Sequence, residues 1–175
     1  MSRRVSLNAR LALDAEATTE IEVVLFHITH PELDAPIRLC TDNTERLSVD
    51  PLMYGTRSSW MTADPISDPF LFILADALLP SEDEDAPAEA QLIVQVLNAS
   101  YAELLRSFTT PATVDMAVVM AETPDVVEQQ WLGLQLTTAN IEDDTITIDL
   151  SREEIELEYF PPGRMIRLHF PGLHL

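Results

Sequence analysis

Several runs between Glu89 and Leu150 alternate with a period of two, and that period dictates extended strands with one face in a core. In Gln91 to Leu97, residues Leu92, Val94 and Val96 share one side, and Gln91, Ile93 and Gln95 the other. Val114, Met116, Val118 and Met120 alternate in the same way with Asp115, Ala117, Val119 and Ala121, and Thr123-Pro124-Asp125 supplies a turn. A long hairpin follows. One arm is Glu128 to Thr138, with Leu132, Leu134 and Leu136 on a common face. The other is Thr145 to Leu150, with Ile146, Ile148 and Leu150, and Glu142-Asp143-Asp144 forms the tip. Between the first two strands, Ser100 and Glu103 have the spacing of a capping box, and Tyr101, Leu104, Leu105 and Phe108 make one apolar stripe, which predicts a helix over 100–108. Strand, helix, strand and hairpin give a mainly antiparallel β layout.

The flanks carry weaker signals. Ser6 to Ala17 places Leu7, Leu11 and Ala15 at helical spacing, which predicts a short helix within an N-terminal arm, residues 1–19. Glu20 to Thr29 is rich in β-branched and aromatic residues, and His30-Pro31-Glu32-Leu33-Asp34 turns it towards a second strand, Pro36 to Thr41. Arg46 to Val49 is a short strand, Gly55 to Asp68 a long loop of the kind that carries function or is ordered by a partner, and Phe70 to Leu74 a strand. Pro80 to Pro87 is an acidic connector. Past Leu150, Ser151 and Glu154 repeat the capping spacing while Ile155, Leu157 and Tyr159 alternate with glutamates; a short helix is the favoured reading. Prolines and glycines then impose an irregular tail over 151–175, in which Phe160, Met165, Ile166, Phe170 and Leu173 call for burial.

Composition narrows the chemistry. A chain of 175 residues suits one domain, 1–175, with its core over 20–150. It contains no apolar run long enough for a membrane helix, and Met1 to Arg10 does not resemble a signal peptide, so a soluble protein retained where it is made is expected. Cys40 is the only cysteine, which excludes an intrachain disulfide or thiolate cluster, and it reads as a small core residue. His27 and His30 fall on opposite faces of a strand, so neither a metal nor a cofactor is expected there. No nucleophile elbow, phosphate-binding glycine loop or metalloprotease helix is present, and the expectation is a protein that is not an enzyme. The net charge is −20, carried against ten arginines and no lysine; such a surface has little affinity for nucleic acid. Salt adaptation and solubility through self-repulsion would produce the same acidity.

The chain resembles a family of small tailed-phage proteins encoded after the tape measure protein in the tail-tip cluster. The matching residues are Ser6-Leu7 and Ala9-Arg10, Leu25 to Arg38 with His30-Pro31, Val96-Leu97-Asn98, Pro111-Ala112-Thr113-Val114, Pro124-Asp125-Val126-Val127-Glu128, Phe160-Pro161-Pro162-Gly163-Arg164 and Phe170-Pro171-Gly172. The resemblance implies a virion component of the tail tip or baseplate, made in the host cytoplasm and similar to distal tail proteins. It also implies an antiparallel β-sandwich or split barrel flanked by one helix, with no catalytic residues. Its partners would be further copies in a ring, a hexamer being favoured, together with the tail tube, hub and tape measure proteins. DNA would pass without specific binding. A trimeric hub or assembly protein is the alternative, and an acidic DNA mimic a more distant one. Under this reading the polar face of the hairpin lines the channel, through Gln135, Thr137, Thr145, Thr147 and Asp149 with the tip acids Glu142, Asp143 and Asp144. The assembly contacts fall on the tail, at Phe160, Arg164, Phe170 and Leu173.

Overall fold

A computed structural model describes residues 5–62, 64–79, 89–95, 110–142 and 145–151. The helix expected over 100–108, the acidic connector, the tip residues Asp143 and Asp144, and the tail with Phe160, Arg164, Phe170 and Leu173 lie outside the described residues. Among the described residues one helix, α1 (Leu7–Asp14), precedes ten strands: β1 (Glu22–Thr29), β2 (Ile37–Cys40), β3 (Glu45–Val49), β4 (Leu52–Thr56), β5 (Phe70–Phe72), β6 (Ala75–Leu78), β7 (Glu89–Gln95), β8 (Thr113–Met120), β9 (Thr123–Glu142) and β10 (Thr145–Ser151). All ten belong to one sheet, ordered β3-β4-β5-β2-β1-β8-β9-β10-β7-β6. The mainly β class with a helix is as the sequence predicts. The sheet is mixed rather than wholly antiparallel, because β2 and β5 run parallel, Leu39 beside Leu71. That pairing arises where the β3–β4 hairpin is inserted and β5 returns between β4 and β2.

The connection from β5 to β6 fixes the curvature. These strands stand seven places apart in the sheet order, roughly 34 Å in a flat sheet at ~4.8 Å per strand. Only Ile73 and Leu74 join them, and three Cα steps span at most about 11 Å. The sheet therefore rolls until its far edge returns beside β5. Its inner face is one apolar cluster drawn from both ends of that roll: Phe26, Ile28, Leu39, Leu92, Val114, Met116, Trp131, Leu134, Ile146, Ile148 and Leu150 are all buried in it, with Ala77 of β6 packed against it.

The central strands bury their outer face as well. Val23, Leu25, Cys40, Ala117 and Val119 form a second cluster on that side, roofed by Trp60 and Phe70. Trp60, only 8% exposed, stacks on Phe70 at 5.9 Å between ring centroids and meets the edge of His27 at 6.4 Å. Residues 57–62 and 64–69 are thus anchored on their own sheet. Ser58 Oγ donates to the Pro124 carbonyl at 2.6 Å, and the Ser59 amide donates to Asp125 Oδ1 at 2.6 Å. The loop expected over Gly55 to Asp68 starts later, since Gly55 and Thr56 belong to β4, and Trp60 supplies the apolar anchor that a polar segment otherwise lacks.

Several boundaries also move. The turn expected at Thr123-Pro124-Asp125 falls at Ala121-Glu122, since Met120 pairs with Thr123 and β9 starts there. The common face expected for Leu132, Leu134 and Leu136 is broken by a bulge. Trp131 faces Met116 and Leu134 faces Val114, so Leu132 and Gly133 together oppose Asp115. Gly133 has φ +70, a left-handed conformation that favours glycine in such bulges. Leu134 is fully buried in consequence, while Leu132 is exposed. In the N-terminal arm the helix is as predicted, and Ser6 caps it, its hydroxyl accepting from the Ala9 amide at 3.1 Å. The stripe of Leu7 and Leu11 nonetheless points away from the sheet, and Ala9 is the buried residue.

Candidate functional site

The outer face of the sheet changes character along its strands: apolar and roofed near Trp60, polar and open beyond it. The border between the two is a row of charge. Arg38, His27 and Asp115 are direct cross-strand neighbours on β2, β1 and β8. An ionised carboxylate only accepts, so His27 Nδ1–H donates to Asp115 Oδ2, at 3.4 Å. Asp115 Oδ1 accepts from the Gly133 amide at 2.8 Å, which ties the row to the β9 bulge. Arg38 Nη1 lies 3.7 Å from Asp68 Oδ1 in the covering loop. Its Nε is buried and makes no hydrogen bond. These groups are largely matched to one another and serve to seat the roof.

His30 completes the framing of this face. Its Nδ1 accepts from the Glu32 amide at 3.1 Å, which leaves Nε2–H to donate to Thr110 Oγ1 at 2.8 Å. The ring thus binds the β1–β2 turn to the residues leading into β8. His27 and His30 thus have separate partners, and among the described residues no group of histidine, cysteine or acid side chains is placed to hold a metal. Cys40 is buried, its Sγ donating to the Asp42 and Phe70 carbonyls at 3.4 Å, and burial pushes its thiol pKa up.

Beyond the border, the row Thr29, Thr113, Gln135 and Ser151 runs across β1, β8, β9 and β10. The next rows pair Asp149 with Thr138 and with Gln91, and Thr147 with Asn140 and with Ile93. Ile146, Ile148 and Leu150 alternate inward into the core, so Thr145, Thr147 and Asp149 must face out. The structure therefore gathers five of the residues singled out in the sequence on one surface: Gln135, Thr137, Thr145, Thr147 and Asp149. A register shift between Asp149 and Leu150 leaves Thr137 as the extra residue on β9, and its hydroxyl donates to the Asp149 carbonyl at 2.9 Å. Asp149 Oδ1 accepts from Gln91 Nε2 at 3.0 Å. Glu142 ends β9, opposite Thr145.

What results is a sheet surface of hydroxyls and amides in which the carboxylate is already hydrogen-bonded and no described arginine takes part. Sequence reasoning missed Gln91, Thr138 and Asn140 on it, and missed Trp60 and Asp115 at its border. A tryptophan inside a stretch of Ser, Thr and Asp was the available signal for the roof, since so large an apolar group rarely stays in water. Compared with protein-family models and with curated proteins, the chain finds no match.

Proposed function

We propose that the chain is a structural subunit of a long-tailed phage tail tip, a distal-tail-like ring component whose outer polar sheet face borders the DNA path. The observation that supports this reading is the surface of β9, β10 and β7. It is extended, hydrogen-bonded within itself and free of described cations, with Asp149 facing out between Thr138 and Gln91. A phosphate chain moving past such a wall meets no described cation to release its condensed counterions, so nothing drives it to bind. The same face on an isolated subunit would only be solvated; its use follows from closure into a ring, favoured as a hexamer.

Mass spectrometry of purified virions and a low-resolution map of the tail test the placement. Tails in which the chain is absent, or present as one copy, would refute the ring. Asp149→Lys, combined with Asp143→Lys and Asp144→Lys, tests the channel. Folding is expected to hold while genome ejection slows, most of all at low salt. Ejection at the wild-type rate under low ionic strength would remove these residues from the channel wall.

A further inference from the structure

α1 is mounted with its weaker apolar side inward. Ala9 is buried, and the helix start is fastened to β9 by the Ser6 amide donating to Glu128 Oε2 at 2.8 Å and Asn8 Nδ2 donating to Thr123 Oγ1 at 3.4 Å. The leucines face water: Leu7, Leu11 and Leu13 are 74%, 62% and 72% exposed. Leu7 and Leu11 stand four apart, one above the other on a single stripe. Leu13 borders a cleft of about 210 Å³ between the helix and the ends of β1 and β8, where Met120 is buried and Glu20 and Glu22 stand at the rim. A third carboxylate-bearing residue is drawn to the same place, for the Glu122 amide donates to Glu20 Oε1 at 3.0 Å. Among the described residues that line the cleft there is no arginine.

Exposed leucines beside a cleft, on a chain whose charge of −20 otherwise keeps it well solvated, mark a contact surface. We propose that this surface docks a basic amphipathic helix of another protein. Its apolar stripe lies along Leu7 and Leu11, one large apolar side chain enters the cleft beside Leu13 and Met120, and its lysines or arginines meet Glu20 and Glu22. Charge selects that occupant over a second copy. A twofold contact would bring Glu20 and Glu22 against their own counterparts, and like charges face to face oppose association. Length argues the same way: α1 has eight residues, about 12 Å of helix, whereas a stable homodimer buries on the order of 1,200 Å² or more. Docking here is independent of any role for the outer polar face, which begins at the opposite ends of β1 and β8, at Thr29 and Thr113, and continues over β9, β10 and β7.

The probe is a synthetic helical peptide with leucines at i, i+4 and i+7 and lysines between them, titrated into the full chain at physiological ionic strength and followed by fluorescence anisotropy. The wild-type chain is expected to bind it and to ignore the counterpart with glutamates in place of lysines. Leu11→Ser with Leu13→Ser should weaken binding about tenfold or more, as for the centre of an interface. Glu20→Gln with Glu22→Gln should weaken it about fivefold and flatten its salt dependence. Glu32→Gln with Asp34→Asn removes the same charge from the β1–β2 turn and should change nothing. Equal loss in that control, or undiminished binding by the leucine variant, would reduce the contact to unspecific charge attraction and overturn the proposal. So would a dimer in sedimentation that Leu7→Ser with Leu11→Ser abolishes, since the stripe would then belong to a second copy.

Discussion

The two faces of β1 and β8 are both buried, and they are buried by different means. On the inner face, Phe26, Val114, Met116 and Val118 meet side chains from other strands of the same rolled sheet. On the outer face, Val23, Leu25, Ala117 and Val119 are covered by Trp60 and Phe70, brought over by a loop and a strand of three residues. A core made from a sheet's own curvature is as cooperative as the sheet. A core made by a roof depends on a few anchors, and losing one should release the roof without unrolling the strands beneath it.

Phe26→Ala breaks the inner core and should have the largest effect, about 3–5 kcal/mol of unfolding free energy, since a fully buried phenylalanine leaves both a transfer loss and a cavity. Denaturant unfolding should show one lowered transition. Trp60→Ala should cost somewhat less, about 3 kcal/mol, and its signature is local. Hydrogen exchange should accelerate in residues 57–69 and in β5, while β9 and β10 remain protected. Uniform acceleration across all strands would erase the distinction between the two cores. Gly133→Ala tests the bulge that aims Trp131 and Leu134 inward. An added Cβ meets nothing within 4 Å, so the cost is that of the left-handed backbone alone, about 1–2 kcal/mol by thermal or chemical melting.

Cys40 sharpens the comparison through pH. Its thiol lies under the roof with a pKa raised by burial above the ordinary 9.0, so the unfolded chain loses that proton first. The stabilisation is complete below about pH 9.0 and is lost as pH rises through the folded value. Cys40→Ala should flatten that alkaline decline. A thiol reagent should label the wild-type cysteine slowly at neutral pH, and Trp60→Ala should quicken the labelling. The smallest effect belongs to the open polar face, where Asp149→Asn keeps an acceptor for Gln91 and should shift stability by no more than about 0.5 kcal/mol.

The inner core was legible in the sequence and the outer one was not. Period two in Val114 to Met120 and in Thr145 to Leu150 points at a buried face whatever the partner strands are, because alternation is a local property of a strand. The roof has no period. Trp60 sits between Ser58-Ser59 and Met61-Thr62, and only a packed structure shows that it spans to Phe70 and His27. β4 was hidden by Gly55, which reads as the start of a loop. Here Pro51 follows the β3–β4 turn residue Asp50, and Gly55 is required because a Cβ there would strike the Phe70 carbonyl and come within 2.8 Å of Leu47 Cδ1. The polar face was legible in part: Thr145, Thr147 and Asp149 follow from alternation, whereas Thr138 and Asn140 needed the register shift beside Leu150. The parallel pairing of β2 with β5 could not be read at all, being a matter of topology and not of pattern.

The two-residue link between β5 and β6 also sets an order of events in time. β5 is complete at Phe72, yet β6 pairs with β7 at the opposite edge of the sheet, and β1 waits for β8, whose last residue is Met120. A chain emerging from the N-terminus therefore holds β1 and β2 with one edge of β1 unpaired across some 80 further residues of synthesis. Contacts of such long sequence separation make folding slow, and open strand edges invite wrong pairing meanwhile. Refolding of this protein should accordingly be more sensitive to concentration than its native stability would suggest, and the heavy negative charge is well suited to keeping half-made sheets apart.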